Sequence, residues 1–90
     1  MTPAEFKAKR DELTPFAIAA GYDELPSDSN VGRLSFIDRT LDVRLDIYLS
    51  KMTVCRMSRD FGNAYHKNKS MEQVKQIIKY PLTTTKSKAI

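Results

Sequence analysis

The chain predicts an α+β two-layer sandwich of order α-β-β-β-α, with a three-stranded antiparallel sheet covered on one face by two helices. Three observations predict it: helical apolar spacing near the amino terminus, strict alternation of apolar and polar residues from Leu41 to Ser50, and a second capped apolar stripe that ends at Pro81. A sheet with one apolar face needs cover, which two amphipathic helices supply. At 90 residues the chain predicts one domain, with no internal repeat visible.

The first helix is predicted from about residue 3 to residue 20. Thr2 is in position to cap it, Pro3 suits the first helical turn, and Glu5 completes a capping box. Pro15 lies inside the apolar pattern and predicts a bend near residue 14. Gly21 then supplies a stop.

The sheet is predicted from the middle of the chain. Residues 22–32 are rich in turn formers and acids and predict a loop, followed by a short strand from Arg33 to Ile37. The alternating run is the second strand, with Val43, Leu45 and Ile47 on its buried side. Residues 52–57 predict a third strand, whose buried side the pattern leaves open.

The carboxyl-terminal part predicts a polar loop over residues 58–69 and then a helix. Ser70 and Gln73 form its capping box, and its apolar stripe consists of Met71, Val74, Ile77 and Ile78. We therefore expect a domain over residues 1–81 and a flexible basic tail over residues 82–90.

Charge changes sign along the chain. Through Tyr48 there are nine acidic and six basic residues, or −3, and from Leu49 onward two acidic and nine basic, or +7, which sum to the net +4. Such an asymmetry favours an anionic partner for the second half. We therefore expect a binding protein without enzymatic activity, whose basic second half contacts an anionic partner. The backbone of a nucleic acid is the first candidate for that partner.

Catalytic and metal chemistry find little support. The chain has one histidine and one cysteine, so neither a disulfide within the chain nor a site of several thiolates or histidines can form, and no cofactor is expected. Cys55 and His66 could form a nucleophile–base pair, but no third orienting residue is evident. Asp42 and Asp46 would lie about 13 Å apart on one strand, too far to share a reacting bond. No phosphate-binding or nucleophile motif appears.

The amino terminus is charged and lacks the apolar stretch of a signal peptide. No run of apolar residues is long enough to span a membrane. A cytoplasmic location without membrane association is therefore expected, and the single cysteine fits a reducing compartment.

The best candidate site precedes the second helix, where basic and aromatic residues meet a helix amino terminus that attracts anions. The alternative is that these residues form a solvent-exposed basic loop that binds no partner. The candidate anion or nucleic-acid contacts are Arg56, Arg59, Tyr65, His66, Lys67, Lys69 and Lys75.

Two other functions stay open. A protein–protein module, such as an adaptor or a phage-type inhibitor of a host protein, would use the mixed-charge outer face of the sheet or a strand edge. That face is expected to carry Arg33, Ser35, Asp42, Arg44, Asp46 and Tyr48. A small phosphorylated ligand or nucleotide at the start of the second helix is a weaker alternative. The oligomeric state is not determined by the sequence.

The α-β-β-β-α order and the basic start of the last helix are similar to the double-stranded-RNA-binding domain. That resemblance covers most of the chain, at the level of layout and charge, and implies RNA as a partner. The family's Lys-Lys-x-Ala-Lys run is missing, because Lys67 and Lys69 are followed by Ser70, Met71 and Glu72. Its Gly-Pro-x-His element is missing too, and we do not assign the chain to the family.

Overall fold

The computed structural model describes residues 2–82 and has a helix, five strands and a helix in chain order. The class is α+β, as predicted, but the prediction of three strands was wrong. The elements are α1 (Pro3–Ala19), β1 (Asp23–Asp28), β2 (Arg33–Asp38), β3 (Val43–Tyr48), β4 (Thr53–Ser58), β5 (Gly62–His66) and α2 (Met71–Lys79). Of the tail predicted over residues 82–90, only Leu82 is described, and it packs against the core.

The two strands that the sequence did not predict are the two edges of the sheet. β1 lies in residues predicted as a loop, and its sequence DELPSD shows no apolar alternation. β5, GNAYH, lies in the second predicted loop and buries only Ala64. An edge strand takes its hydrogen bonds from one neighbour and can form without an apolar face. A search for alternating apolar and polar residues therefore does not detect it.

The five strands form an antiparallel meander in the order β1-β2-β3-β4-β5. Each of the four connections between strands has one residue with positive φ: Gly32 at 67°, Asp42 at 56° and Met52 at 48° in the turns, and Gly62 at 75° at the first position of β5. These positions are ten residues apart, so the meander has a ten-residue structural period. This period is not visible in the sequence, because the recurring position is occupied by glycine, aspartate or methionine.

One face of the sheet, the covered face, packs against both helices and forms the core. This agrees with the predicted cover over Val43, Leu45 and Ile47. The core residues from the sheet are Leu34, Phe36, Val43, Leu45, Ile47, Leu49 and Val54, and those from the helices are Leu13, Ala17, Val74, Ile77 and Ile78. In β4, Val54 points into the core, so Cys55 and Met57 lie on the outer face. The sequence had left open which of these residues are on the buried side of this strand.

Both helices begin with the capping boxes that the sequence predicts. The Glu5 N–H donates to Thr2 Oγ1 at 3.1 Å, and the Gln73 N–H donates to Ser70 Oγ at 3.2 Å. The first helix continues through Pro15 to Ala19. Pro15 is exposed, so water can reach the backbone carbonyl left without an intrahelical donor.

Tyr22 fastens the end of α2 to the start of the sheet. Its hydroxyl donates to the Ile78 carbonyl at 2.8 Å, and the residue is only 3% exposed. Burial, with a smaller effect of the nearby Asp38 carboxylate, raises the pKa of the Tyr22 phenol.

Tyr22→Phe is expected to lower the free energy of unfolding by about 1 kcal/mol, because it leaves the buried Ile78 carbonyl without its donor. Since the folded phenol holds its proton more tightly than the unfolded one, the wild type should also lose stability as the pH rises above about 10. The variant should lose less over that range. Urea titrations between neutral and alkaline pH measure both effects, and parallel curves for the two proteins would contradict the assignment.

Candidate functional site

The structure does not bring the seven predicted anion contacts together. Arg59 lies in the turn before β5, whereas Lys67 and Lys69 follow β5 at its other end, so roughly 13 Å of strand separates them. Tyr65 is on the outer face of β5, and His66, half-buried, is on the covered face. The seven residues therefore form no single surface.

Arg56 is in the interior. It is 0% exposed and pairs in register with Leu45 and Ala64 on the covered face. Its Nη2 donates to the carbonyls of Phe61 at 3.2 Å and Gly62 at 2.7 Å, while Nε and Nη1 have no hydrogen-bond partner. Burial lowers the pKa of the guanidinium. A phosphate at the surface cannot reach this side chain.

Two more of the predicted contacts form ion pairs with acidic residues of the same chain. Lys75 Nζ lies 2.8 Å from Glu12 Oε2 and 5.5 Å from the centre of the Phe16 ring, so it joins α2 to α1. The hydrogen bond to Glu12 raises the pKa of Lys75. Arg59 Nε lies 3.2 Å from Asp42 Oδ2, an exposed pair that links two turns at one end of the sheet.

Three lysines do approach one another at the other end. The Lys69 N–H donates to the Met52 carbonyl at 2.9 Å, which holds the segment after β5 against the β3–β4 turn. That turn carries Lys51, so Lys51, Lys67 and Lys69 share what we call the lysine end. The sequence indicated two of the three; Lys51 could not be added without the turn geometry.

The outer face of the sheet, which we call the open face, has no helix on it among residues 2–82. Arg33, Ser35, Arg44, Asp46 and Tyr48 lie on it as predicted, whereas Asp42 lies in a turn. Its half-buried apolar members, such as Ile37 and Met57, were not predicted to share a surface, because the sequence does not show which strands are neighbours. The full set is Asp23, Leu25, Arg33, Ser35, Ile37, Arg44, Asp46, Tyr48, Thr53, Cys55, Met57, Asn63 and Tyr65.

A polar network lies at the centre of the open face. Ser35 Oγ donates to Asp46 Oδ1 at 2.8 Å, and Arg44 Nε donates to the same oxygen at 3.1 Å. Ser35 is 1% and Asp46 9% exposed, so this carboxylate is satisfied mainly by protein donors. The network fixes Arg44 in place over the middle strand.

Cys55 also lies on the open face, opposite Tyr65 and Asp46. Burial, and then the negative charge of Asp46, raise the pKa of its thiol, which therefore stays protonated at neutral pH. His66 is turned to the other face of the sheet, so the two side chains cannot form the nucleophile–base pair considered from the sequence. Within residues 2–82, no three histidine, cysteine or acidic side chains are grouped to hold a metal.

A shallow groove of about 360 Å³ runs along one end of the open face, between the β2–β3 and β4–β5 turns. Its floor includes Ile37 and Met57, and the Asp42–Arg59 ion pair lies at its rim. The full lining is Ile37, Asp42, Val43, Arg44, Met57, Ser58, Arg59 and Asn63. The groove combines apolar contact area with hydrogen-bonding groups fixed by neighbouring residues.

Comparisons with known proteins found no match to any family model, curated protein or solved structure. The five-stranded meander also differs from the three-strand order that suggested a double-stranded-RNA-binding domain. In the described part of the chain, neither helix has the length and apolar character needed to cross a bilayer.

Arg56→Met is expected to leave the free energy of unfolding unchanged or to raise it by up to about 2 kcal/mol. Methionine fills similar space and removes a buried cation, while the Phe61 and Gly62 carbonyls, on an exposed turn, can accept from water. Arg56→Ala should instead cost about 2 kcal/mol or more, because it leaves a cavity. Urea denaturation of both variants measures the contrast. A loss for methionine as large as that for alanine would contradict the prediction and mean that the folded protein depends on the guanidinium itself, which both variants remove.

Proposed function

We propose that the protein is a small non-enzymatic protein-binding module that engages its partner through the open face. The observation that carries the proposal is that both helices cover one face of the sheet, leaving half-buried apolar side chains and the exposed Tyr65 on the other. Ile37 and Met57 flank Arg44 on adjacent strands, and Tyr65 lies next to Cys55. Apolar surface of this kind is typical of protein-binding sites.

The dimensions of the open face support a protein partner. Five strands span roughly 20 Å across the sheet, and six residues extend roughly 17 Å along a strand. The product is roughly 340 Å² of projected area, so a partner that covers the open face and the adjoining turns could approach the approximately 800 Å² that a standard interface buries on each partner. A small ligand would use only the groove.

The charge of the open face supports a protein partner over a polyanion. Two arginines, Arg33 and Arg44, are balanced by two aspartates, Asp23 and Asp46. Arg44 is already bonded to Asp46, and Arg39 bridges to Asp23 at 3.2 Å. Tyrosine, methionine and arginine are enriched in protein interfaces, whereas a nucleic-acid surface requires uniform positive charge.

The proposal is tested by photocrosslinking in the cells that make the protein. With p-benzoylphenylalanine in place of Met57 we expect one defined protein adduct, because this position lies in the groove of the open face. The same probe in place of Gln76, an exposed position on α2, is the matched control and should give none. Equal adducts from both positions would contradict the proposal.

The captured partner then allows a binding measurement. Ile37→Lys should weaken its affinity by at least about tenfold, since a charge would be buried among apolar contacts. Gln76→Lys, on exposed helix surface, makes the same +1 change of charge elsewhere and should leave the affinity unchanged.

The lysine end supports a second candidate function, polyanion binding. Its support is the Lys69–Met52 backbone bond, which gathers Lys51, Lys67 and Lys69 from two segments of the chain. α2 begins beside them, but Ser70 and Gln73 already cap its first turn, so the basic side chains carry the attraction.

For this candidate we expect labelled duplex RNA or DNA to bind with a steep dependence on salt. Lys67→Glu with Lys69→Glu should lower the logarithmic salt slope by about 2 or more, because two phosphate contacts are lost. Arg39→Glu with Arg59→Glu, at the opposite end of the sheet, makes the same charge change and should affect the slope less. Fluorescence anisotropy at several salt concentrations measures it, and equal effects of the two double variants would exclude the lysine end as the site.

A further inference from the structure

The two edges of the sheet are built differently. At the β1 edge, Pro26 lies within the strand, and the pairing register with β2 breaks between Leu25 and Asp28. Asp23, Glu24 and Asp28 add negative charge along the same strand. Proline, a bulge and charge are the features by which proteins prevent an edge from pairing with another strand.

The β5 edge has none of these features. Gly62–His66 pairs with β4 in one unbroken register, contains no proline and carries no lysine or acid. Tyr65 is 60% exposed beside this edge. Among the described residues, β4 is the one strand that pairs with β5, which leaves a regular edge able to accept another strand.

We propose that β5 pairs antiparallel with β5 of a second copy of this chain, which makes a two-fold dimer with a continuous ten-stranded sheet. Centred on Ala64, this pairing sets Ala64 opposite Ala64 of the second copy and Asn63 opposite its Tyr65. The small alanines meet on the covered face, and each tyrosine gains a polar neighbour on the open face. The identical patch on both copies is self-complementary, as two-fold symmetry requires.

The charges beside β5 fit a second copy. Lys67 and Lys69 follow the strand, and Asp60 precedes it in an exposed turn. Antiparallel pairing brings Asp60 of one copy next to Lys67 and Lys69 of the other, twice over. Arg59, which faces Lys69 in this register, is already paired with Asp42. β1 could not pair with itself in this way, because its acids would face one another.

This inference concerns the edge of the sheet and does not depend on the proposed function of the open face. The two are nevertheless connected, because the dimer would join two open faces with both Tyr65 rings near the two-fold axis. A monomer that still gives the Met57 crosslink would overturn the dimer alone, and a dimer without the crosslink would overturn the proposed function alone.

The test uses sedimentation equilibrium of the full chain, loaded from about 1 μM to about 1 mM. We expect the wild type to pass from monomer to dimer with rising concentration. Asn63→Lys with Tyr65→Lys places lysine opposite lysine at two symmetric pairs and should raise the dissociation constant at least about tenfold. Both positions are exposed, so the fold should tolerate the change, and circular dichroism checks this.

The matched control is Asn63→Glu with Tyr65→Lys, which places glutamate opposite lysine at the same two pairs. Its dissociation constant should be lower than that of the double-lysine variant, because opposite charges now face each other at both pairs. A wild type that is monomeric over the whole range would overturn the proposal. Equal dissociation constants for the two double variants would overturn the antiparallel register centred on Ala64.

Discussion

The packing of both helices against a single face of the meander is the constraint on which the rest of the structure depends. α1 and α2 contribute their apolar stripes to the core over β2, β3 and β4, and Tyr22 fastens the end of α2 to the start of the sheet. Two helices of this length are long enough to cover one face of a five-stranded sheet but not both faces. The consequence is an open face whose apolar residues have no cover within the described chain, and this asymmetry makes that face the best candidate for binding.

Some features of the fold reduce its stability. Arg56 is a buried cation whose Nε and Nη1 have no hydrogen-bond partner, although its remaining bonds hold the β4–β5 turn. Asp42 and Met52 hold left-handed backbone at positions where the other two turns have glycine, at a cost of about 1 kcal/mol each. The ten-residue period of the meander explains this strain, since each turn requires the same left-handed residue whatever its side chain.

Charge has a different distribution in space from its distribution along the chain. The excess of basic residues in the second half suggested one anion-binding surface. The fold instead buries Arg56, pairs Lys75 with Glu12 and Arg59 with Asp42, and leaves the lysine end as a smaller basic region. Linear charge could not reveal this, because acids from the first half neutralise bases from the second across the helix interface and between turns. The remaining basic region lies at one end of β5, next to the regular edge of the sheet.

The sequence by itself determined the α+β class, both capped helices, the three inner strands and the face that the helices cover. Capping boxes and apolar periodicity are local signals, and each has a direct physical cause in hydrogen bonding or burial. Only the tertiary structure decided that β1 and β5 exist, that Arg56 points inward and that the basic residues separate. These outcomes depend on pairing with neighbours distant in the chain: an edge strand forms because an adjacent strand supplies its hydrogen bonds, and the register of β4 selects which of its residues are buried.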